Sequence, residues 1–286
     1  MKDFAGKTAV VTGAGSGMGK AFAQRWGAEG MNIVIGDIQQ DALEATVAEL
    51  ESAGVPVLGL RTDVSKLADI EALADAAGER FGKIHLVHNN AGVEGYLDGP
   101  IWAATAKDWD WTLSVNLMSV IWGFEIFGPL IEAHGEGGQV VSTASVAGLI
   151  AGPSLAYDVS KYGVVAMSEG MRNVLAPRKI GVSVLCPGVI RTQIMNSRRN
   201  VPQRFAGAVV GNPPPTEGPR AEFIKALQER INNGIDPLYV GELVREAIEN
   251  DWPYIFTDTE HEPFIDERFA AIKQGFDRIR GRTPRR

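Results

Sequence analysis

From the N-terminus to about residue 190, short runs of aliphatic and β-branched residues alternate with longer segments whose apolar positions recur at the helical period. The strand-like runs are Lys7–Thr12, Asn32–Asp37, Val55–Arg61, Ile84–His88, Gly137–Thr143 and Val182–Leu185. Between them the pattern predicts helices over Gly19–Glu29, Gln39–Ala53, Lys66–Phe81, Thr105–Ala133 and Tyr157–Leu175. In Gln39–Ala53, for example, Ala42, Leu43, Val47 and Leu50 share one face. Strands that are apolar throughout are buried on both sides, which calls for a parallel sheet with helices on each face. Right-handed crossovers then give an α/β, doubly wound architecture.

The rhythm breaks after Ile190. Residues 193–235 carry Arg198, Arg199, Arg204 and Arg220 and the run Asn212-Pro213-Pro214-Pro215. With weak periodicity and little means of packing as a core element, this segment reads as a mobile lid over the substrate. Helices are expected at Glu222–Asn232 and Leu238–Asn250 and a last strand at Tyr254–Thr257, followed by a charged C-terminal extension over 258–286 whose end, Arg282-Thr283-Pro284-Arg285-Arg286, reads as frayed. No linker divides the chain, so residues 1–286 read as a single domain. The 28 Lys and Arg against 35 Asp and Glu leave a net charge of −7, which argues against nucleic acid and anionic membranes as partners. The longest uncharged stretch, Gly137–Tyr157, is interrupted by Gln139 and Pro153 and is not a membrane span. The single cysteine, Cys186, fits a reducing, cytoplasmic setting.

Candidate chemistry begins where the first strand runs into Thr12-Gly13-Ala14-Gly15-Ser16-Gly17-Met18-Gly19 and a helix. Glycines at such a turn let the backbone approach a pyrophosphate lying at the helix N-terminus. Asp37 closes the second strand 18 residues beyond Gly19, where a carboxylate accepts from both ribose hydroxyls and repels a 2′-phosphate. Ile38 and Ser16 offer no cation for that phosphate, so the expected cofactor is NAD rather than NADP. Asp63-Val64 and Asn89-Asn90-Ala91-Gly92 follow the third and fourth strands, at the edge where ligands bind open sheets. Tyr157 and Lys161 are four apart on a helix and share a face, so that the ammonium can stabilise the phenolate of a proton-exchanging Tyr. Ser145, 12 residues before Tyr157, ends the fifth strand and could hold a substrate oxygen.

Taken together, these residues resemble the classical short-chain dehydrogenase/reductase family over about residues 5–190. Met18 and Ala144 depart from its commonest residues without removing a reacting group. The resemblance implies a Rossmann-type fold and a catalytic set of Asn116, Ser145, Tyr157 and Lys161. In that set Tyr157 is the general acid/base, Ser145 orients the carbonyl or alcohol, and Asn116 holds a water serving Lys161. It also implies cofactor contacts at Gly13, Ser16, Gly17, Met18, Gly19, Asp37 and Ile38, at Asp63 and Val64 beside the adenine, and at Asn90, Ala91 and Gly92. Lys161 would bind the nicotinamide ribose, and Pro187, Gly188, Val189, Ile190 and Thr192 would lie at the nicotinamide. Substrate contacts are expected from Glu94, Tyr96, Ser145, Val146, Ile150, Met195 and Phe205. The implied activity is hydride transfer between NAD and a bulky or aromatic secondary alcohol or ketone, by a homotetramer. Two alternatives are an NADP-linked 3-oxoacyl reductase and a non-catalytic dinucleotide sensor on the same fold. No metal site is expected, because His85 and His88 are poorly placed for one and His134 and His261 read as isolated surface residues.

Overall fold

The computed structural model describes residues 1–97 and 99–282. Seven strands form one sheet: β1 (Thr8–Thr12), β2 (Asn32–Asp37), β3 (Val57–Arg61), β4 (Leu86–Asn89), β5 (Gly138–Thr143), β6 (Ile180–Cys186) and β7 (Tyr254–Phe256). Their order is β3-β2-β1-β4-β5-β6-β7, and each neighbouring pair is parallel. The chain winds outward from β1 to β3, returns to β4 on the other side, and winds outward again, which is the doubly wound Rossmann-type topology the pattern predicts.

Alternation along the buried strands divides the core into two layers. Val10, Val34, Val87, Val140, Val182 and Val184 face one layer, whereas Ala9, Val11, Ile33, Ile35, Leu86, Val141 and Leu185 face the other. The first layer is covered by α3 (Leu67–Phe81) with Ile70 and Leu73, by α5 (Ser119–His134) with Phe124, Phe127 and Ile131, and by α6 (Leu155–Leu175) with Val164. The second is covered by α1 (Gly17–Ala28) with Phe22 and Trp26, by α2 (Gln40–Ser52) with Leu43 and Leu50, and by α8 (Pro237–Asn250) with Val240, Val244 and Ile248.

The long helix expected over Thr105–Ala133 is present as one continuous run, Ala106–His134, with a wide turn inside it. α4 (Ala106–Leu113) is joined to α5 by a π-helical turn at Ser114–Met118. Sequence periodicity does not register one such wide turn within an otherwise helical run. Thr105 and Asp108 cap α4 reciprocally, Thr105 N donating to Asp108 Oδ2 at 2.7 Å. Ala106–His134 is long and apolar enough to cross a bilayer by composition, but half of its most apolar window is buried inside the fold.

The C-terminal part also differs from expectation. Residues 262–277 form a helix that the sequence pattern does not predict, α9 (Glu262–Asp277); the end read as frayed lies, from Thr283 to Arg286, outside the described residues. The segment between β6 and α7 (Pro219–Asn232) is not loosely attached either. It makes three 3₁₀ turns, and Phe205, Ala208 and Val210 are buried in the first core layer. Buried Asp108 accepts from Val210 N at 2.7 Å, so one carboxylate both caps α4 and pins this segment.

Candidate active site

The C-terminal ends of β1 and β4, where strand order reverses, open into a cleft of about 380 Å³. That volume lies in the range of small-molecule sites. One end is built by the turn from β1 into α1. Gly13 and Gly17 adopt φ of +65° and +55°, conformations that favour glycine. Ser16, the residue before α1, makes no side-chain cap, which leaves the N–H groups of the first helical turn facing the cleft. A Cβ on Gly19 would overlap the Gly13 carbonyl oxygen and lie 2.6 Å from Asn90 Nδ2. The close packing of helix, turn and β4 therefore requires glycine there. Asn90 Nδ2 donates to Thr12 O at 2.9 Å, and Asn90 Oδ1 accepts from Thr143 Oγ1 at 3.3 Å, bracing β1, β4 and β5 together. At the tip of β2, Asp37 Oδ2 accepts from Gly15 N at 2.8 Å and Oδ1 from Gln39 N at 2.9 Å. Each oxygen keeps a lone pair for a further donor. These features fit a dinucleotide, with the pyrophosphate on the glycine turn and the adenosine ribose at Asp37.

The other end holds Ser145, Tyr157 and Lys161, all on the cleft wall. Lys161 is buried on α6, and Nζ donates to Thr143 O at 2.8 Å. Its remaining protons lie toward the cleft side of Gly92, whose Cβ position is 3.5 Å from both Lys161 Nζ and Asn116 Oδ1. Burial pulls the ammonium down to about 8. Lys161 Nζ sits 5.5 Å from the centre of the Tyr157 ring. The sequence suggested that this charge would lower the phenol. Instead, desolvation deep in the cleft pushes Tyr157 up to about 12, and the opposing hydrogen bond from Ser145 does not offset it. Asn116 stands on the π-turn. Its Nδ2 donates to Val93 O at 2.9 Å and Ser160 Oγ at 3.1 Å, and its Oδ1 accepts from Val93 N at 2.8 Å. The wide turn thus directs Asn116 inward, where it ties the loop after β4 to α6.

The model of the family described as short chain dehydrogenase matches residues 7–203. The chain belongs to the short-chain dehydrogenase/reductase family. It is 34% identical over 281 residues to a C alpha-dehydrogenase of Sphingobium sp. strain SYK-6, covering 95% of this chain and 87% of that protein. It is 31% identical to a CLA biosynthesis dehydrogenase/reductase of Lactiplantibacillus plantarum over 95% of each chain. Among solved structures, it matches a short-chain dehydrogenase/reductase from Burkholderia phymatum in complex with NAD. The TM-score is 0.89 at 38% identity, covering 100% of this chain and 99% of that one.

In this short-chain dehydrogenase/reductase, Gly13, Ser16, Gly17, Met18 and Gly19 of the glycine turn line one cleft together with Asp37, Ile38, Asp63, Val64, Asn90, Ala91, Gly92, Pro187, Gly188, Val189, Ile190 and Thr192, whereas Thr12, Ala14 and Gly15 are buried away from it and Arg191 is exposed. Glu94, Val146 and Met195 join the wall. Tyr96, Ile150 and Phe205 do not. Tyr96 is buried with its hydroxyl toward Gly99, and Phe205 anchors the 193–235 segment in the core rather than forming a contact surface. Several wall residues have no signature in the sequence. Arg199 donates to Gln39 Oε1 at 2.8 Å, so a cation from the segment after β6 does stand beside Gln39 at the Asp37 end of the cleft, contrary to the expectation of none. Arg204 pairs with Asp63 Oδ2 at 2.9 Å and donates to Ser65 O at 2.7 Å. Although burial pushes the Asp63 carboxyl up, its hydrogen bond from Ser65 and the Arg204 charge hold it below the usual carboxylate range. His261, expected at the surface, lines the cleft at the start of α9.

His134 is not isolated either: it packs 4.7 Å from His85, beside Glu136. Both rings are already engaged. His134 Nε2 meets Ile84 O at 2.8 Å and Nδ1 accepts from Glu136 N; His85 Nδ1 accepts from Thr8 N and Nε2 meets Glu136 Oε2 at 2.9 Å. No ring lone pair is left to ligate a metal ion.

Proposed function

We propose that this oxidoreductase transfers hydride between NAD and a secondary alcohol or ketone, with a bulky or aromatic substituent on the reacting carbon. The observation that carries this reading is the convergence of Ser145, Tyr157 and Lys161 at one end of a cleft whose other end fits a dinucleotide. When bound, the nicotinamide supplies the hydride acceptor or donor. Ser145 Oγ orients the substrate oxygen, Tyr157 Oη exchanges its proton, and Lys161 Nζ holds the ribose side and keeps a positive charge beside the phenol. Asn116 braces α6, on which Tyr157 and Lys161 stand, and its Oδ1 is within reach of a water serving Lys161. The apolar wall residues Val146 and Met195 support a bulky apolar substituent. A panel of alcohols and ketones assayed with NAD and NADP tests the reading, which fails if no member of the panel is turned over. Residues 193–235 serve in it as a substrate lid on a single 1–286 domain, and the fully buried thiol of Cys186 suits a cytoplasmic enzyme.

NAD is favoured because the Asp37 carboxylate stands where a 2′-phosphate would lie. Asp37→Ala combined with Ile38→Arg is expected to raise the NADP-to-NAD ratio of kcat/KM by at least about tenfold. Wild-type turnover that is equal or better with NADP would overturn the assignment. Arg199 is the one feature favouring the second reading, an NADP-linked 3-oxoacyl reductase, since a guanidinium beside Gln39 could meet a phosphate. A purely sensing protein would have no need of the proton-transfer residues.

The assembly we propose is a homotetramer. Leu130, Leu155 and Val159 are exposed on α5 and α6, and α9 exposes Phe264, Phe269, Ile272 and Phe276. Light scattering at micromolar concentration is expected to give a mass near four times 30.8 kDa. A species of 30.8 kDa alone would contradict it.

A further inference from the structure

Among the described residues, Glu94 is the one acidic side chain at the substrate end of the cleft wall, and it is 5% exposed. Its Oε2 accepts from Ser197 Oγ of the lid at 2.6 Å. Its Oε1 is buried and has no hydrogen-bond partner, the Arg198 Nε lying 3.7 Å away. A buried carboxylate oxygen without a donor is destabilising, and folded proteins rarely retain one. Ser154, at the mouth of α6 three residues before Tyr157, donates from Oγ to the Glu94 carbonyl at 3.3 Å and so fixes Glu94 beside that helix. The Glu94 charge also reaches the Tyr157 phenol and opposes its ionisation. Burial, acting against Ser197 and Arg198, pushes the carboxyl up to about 7.

We infer that Glu94 is a specificity-determining residue whose Oε1 accepts a hydrogen bond from a second, neutral hydroxyl of the substrate, close to the reacting carbinol. The inference rests on the alcohol–ketone reading above. It narrows the substrate class to diols and hydroxyketones. A cationic amine is disfavoured because Arg198 stands beside the same oxygen, and a substrate carboxylate is disfavoured by Glu94 itself. An alcohol lacking the second hydroxyl would leave Oε1 buried without a hydrogen bond, the situation in which polar sites discriminate most strongly.

The experiment compares 1-phenylethanol with 1-phenylethane-1,2-diol and 1-phenylpropane-1,3-diol, which add a hydroxyl at two distances. Turnover is measured with NAD, and calorimetric binding to the protein saturated with NADH, for the wild type, Glu94→Gln and Glu94→Leu. The wild type is expected to prefer one diol by at least about tenfold in both kcat/KM and affinity, as one hydrogen bond to a charged group predicts. Glu94→Leu should bring that ratio close to one, and Glu94→Gln, which keeps an amide oxygen, should restore part of it. If Glu94 only held Ser197 and the lid, all three compounds would weaken in proportion and the ratio would stay. That result, or a wild type indifferent to both diols, overturns the inference. Binding that prefers a diol in a Glu94-dependent way, with no turnover of any compound, would leave the inference standing and overturn the enzymatic reading.

Discussion

Tyr157→Phe is expected to reduce oxidation of a secondary alcohol by about a hundredfold to ten-thousandfold, the range for removing a positioned acid/base group. The change deletes one hydroxyl and keeps the ring that packs near Lys161, so the fold and the Lys161–Thr143 bond should persist. NAD affinity should stay within a few-fold. The pH profile gives a second readout. A phenol held at about 12 by burial delivers more phenolate with each rise in pH, so wild-type kcat/KM for oxidation should climb from neutral pH upward. The climb should bend near pH 8, where Lys161 starts to lose its charge. In Tyr157→Phe the rising limb should be absent. A well-folded variant that retained both rate and limb would remove Tyr157 from proton transfer.

Gly19→Ala is expected to weaken NAD at least about tenfold and to lower stability by roughly 1–3 kcal/mol, the cost of forcing atoms into a packed site. The added methyl would overlap the Gly13 carbonyl and sit 2.6 Å from Asn90 Nδ2, the group that braces β1 to β4. The turn can relieve this only by moving Gly13, whose φ of +65° shapes the cofactor-facing backbone. Gly78→Ala is the matching control, because nothing lies within 4 Å of its Cβ position on α3. There the substitution should stabilise slightly through helix propensity. Isothermal calorimetry and thermal melts separate the two effects. Unchanged affinity in Gly19→Ala would mean that the glycine turn does not hold the cofactor.

The strands were legible because each is apolar on both faces, and the glycine turn, Asp37, Ser145, Tyr157 and Lys161 because their chemistry depends on local spacing along strand ends and one helix face. The lid was not. Phe205 and Val210 find their core contacts across α4, and Arg199 and Arg204 find Gln39 and Asp63 more than a hundred residues away, relations that leave no local period. Burial misled the reading of Tyr157, whose pKa depends on desolvation that spacing does not carry. A local trace of one missed residue existed: Thr105-x-x-Asp108 is close to a capping box, and that same Asp108 anchors the segment at Val210. The π-turn left no trace, since its apolar positions continue those of the helices on either side.

That turn bears on how the chain can change length over evolutionary time. A helical residue advances the side-chain direction by about 100°. Losing one residue within Ser114–Met118, and so closing the wide turn to an ordinary one, would rotate either Asn116 away from Val93 and Ser160 or Phe124, Phe127 and Ile131 away from the sheet. The site half and the packing half of this helix are thus phased against each other by a single extra residue. Insertions and deletions that the connecting loops absorb would not be tolerated here, even though the segment has the composition of an ordinary helix.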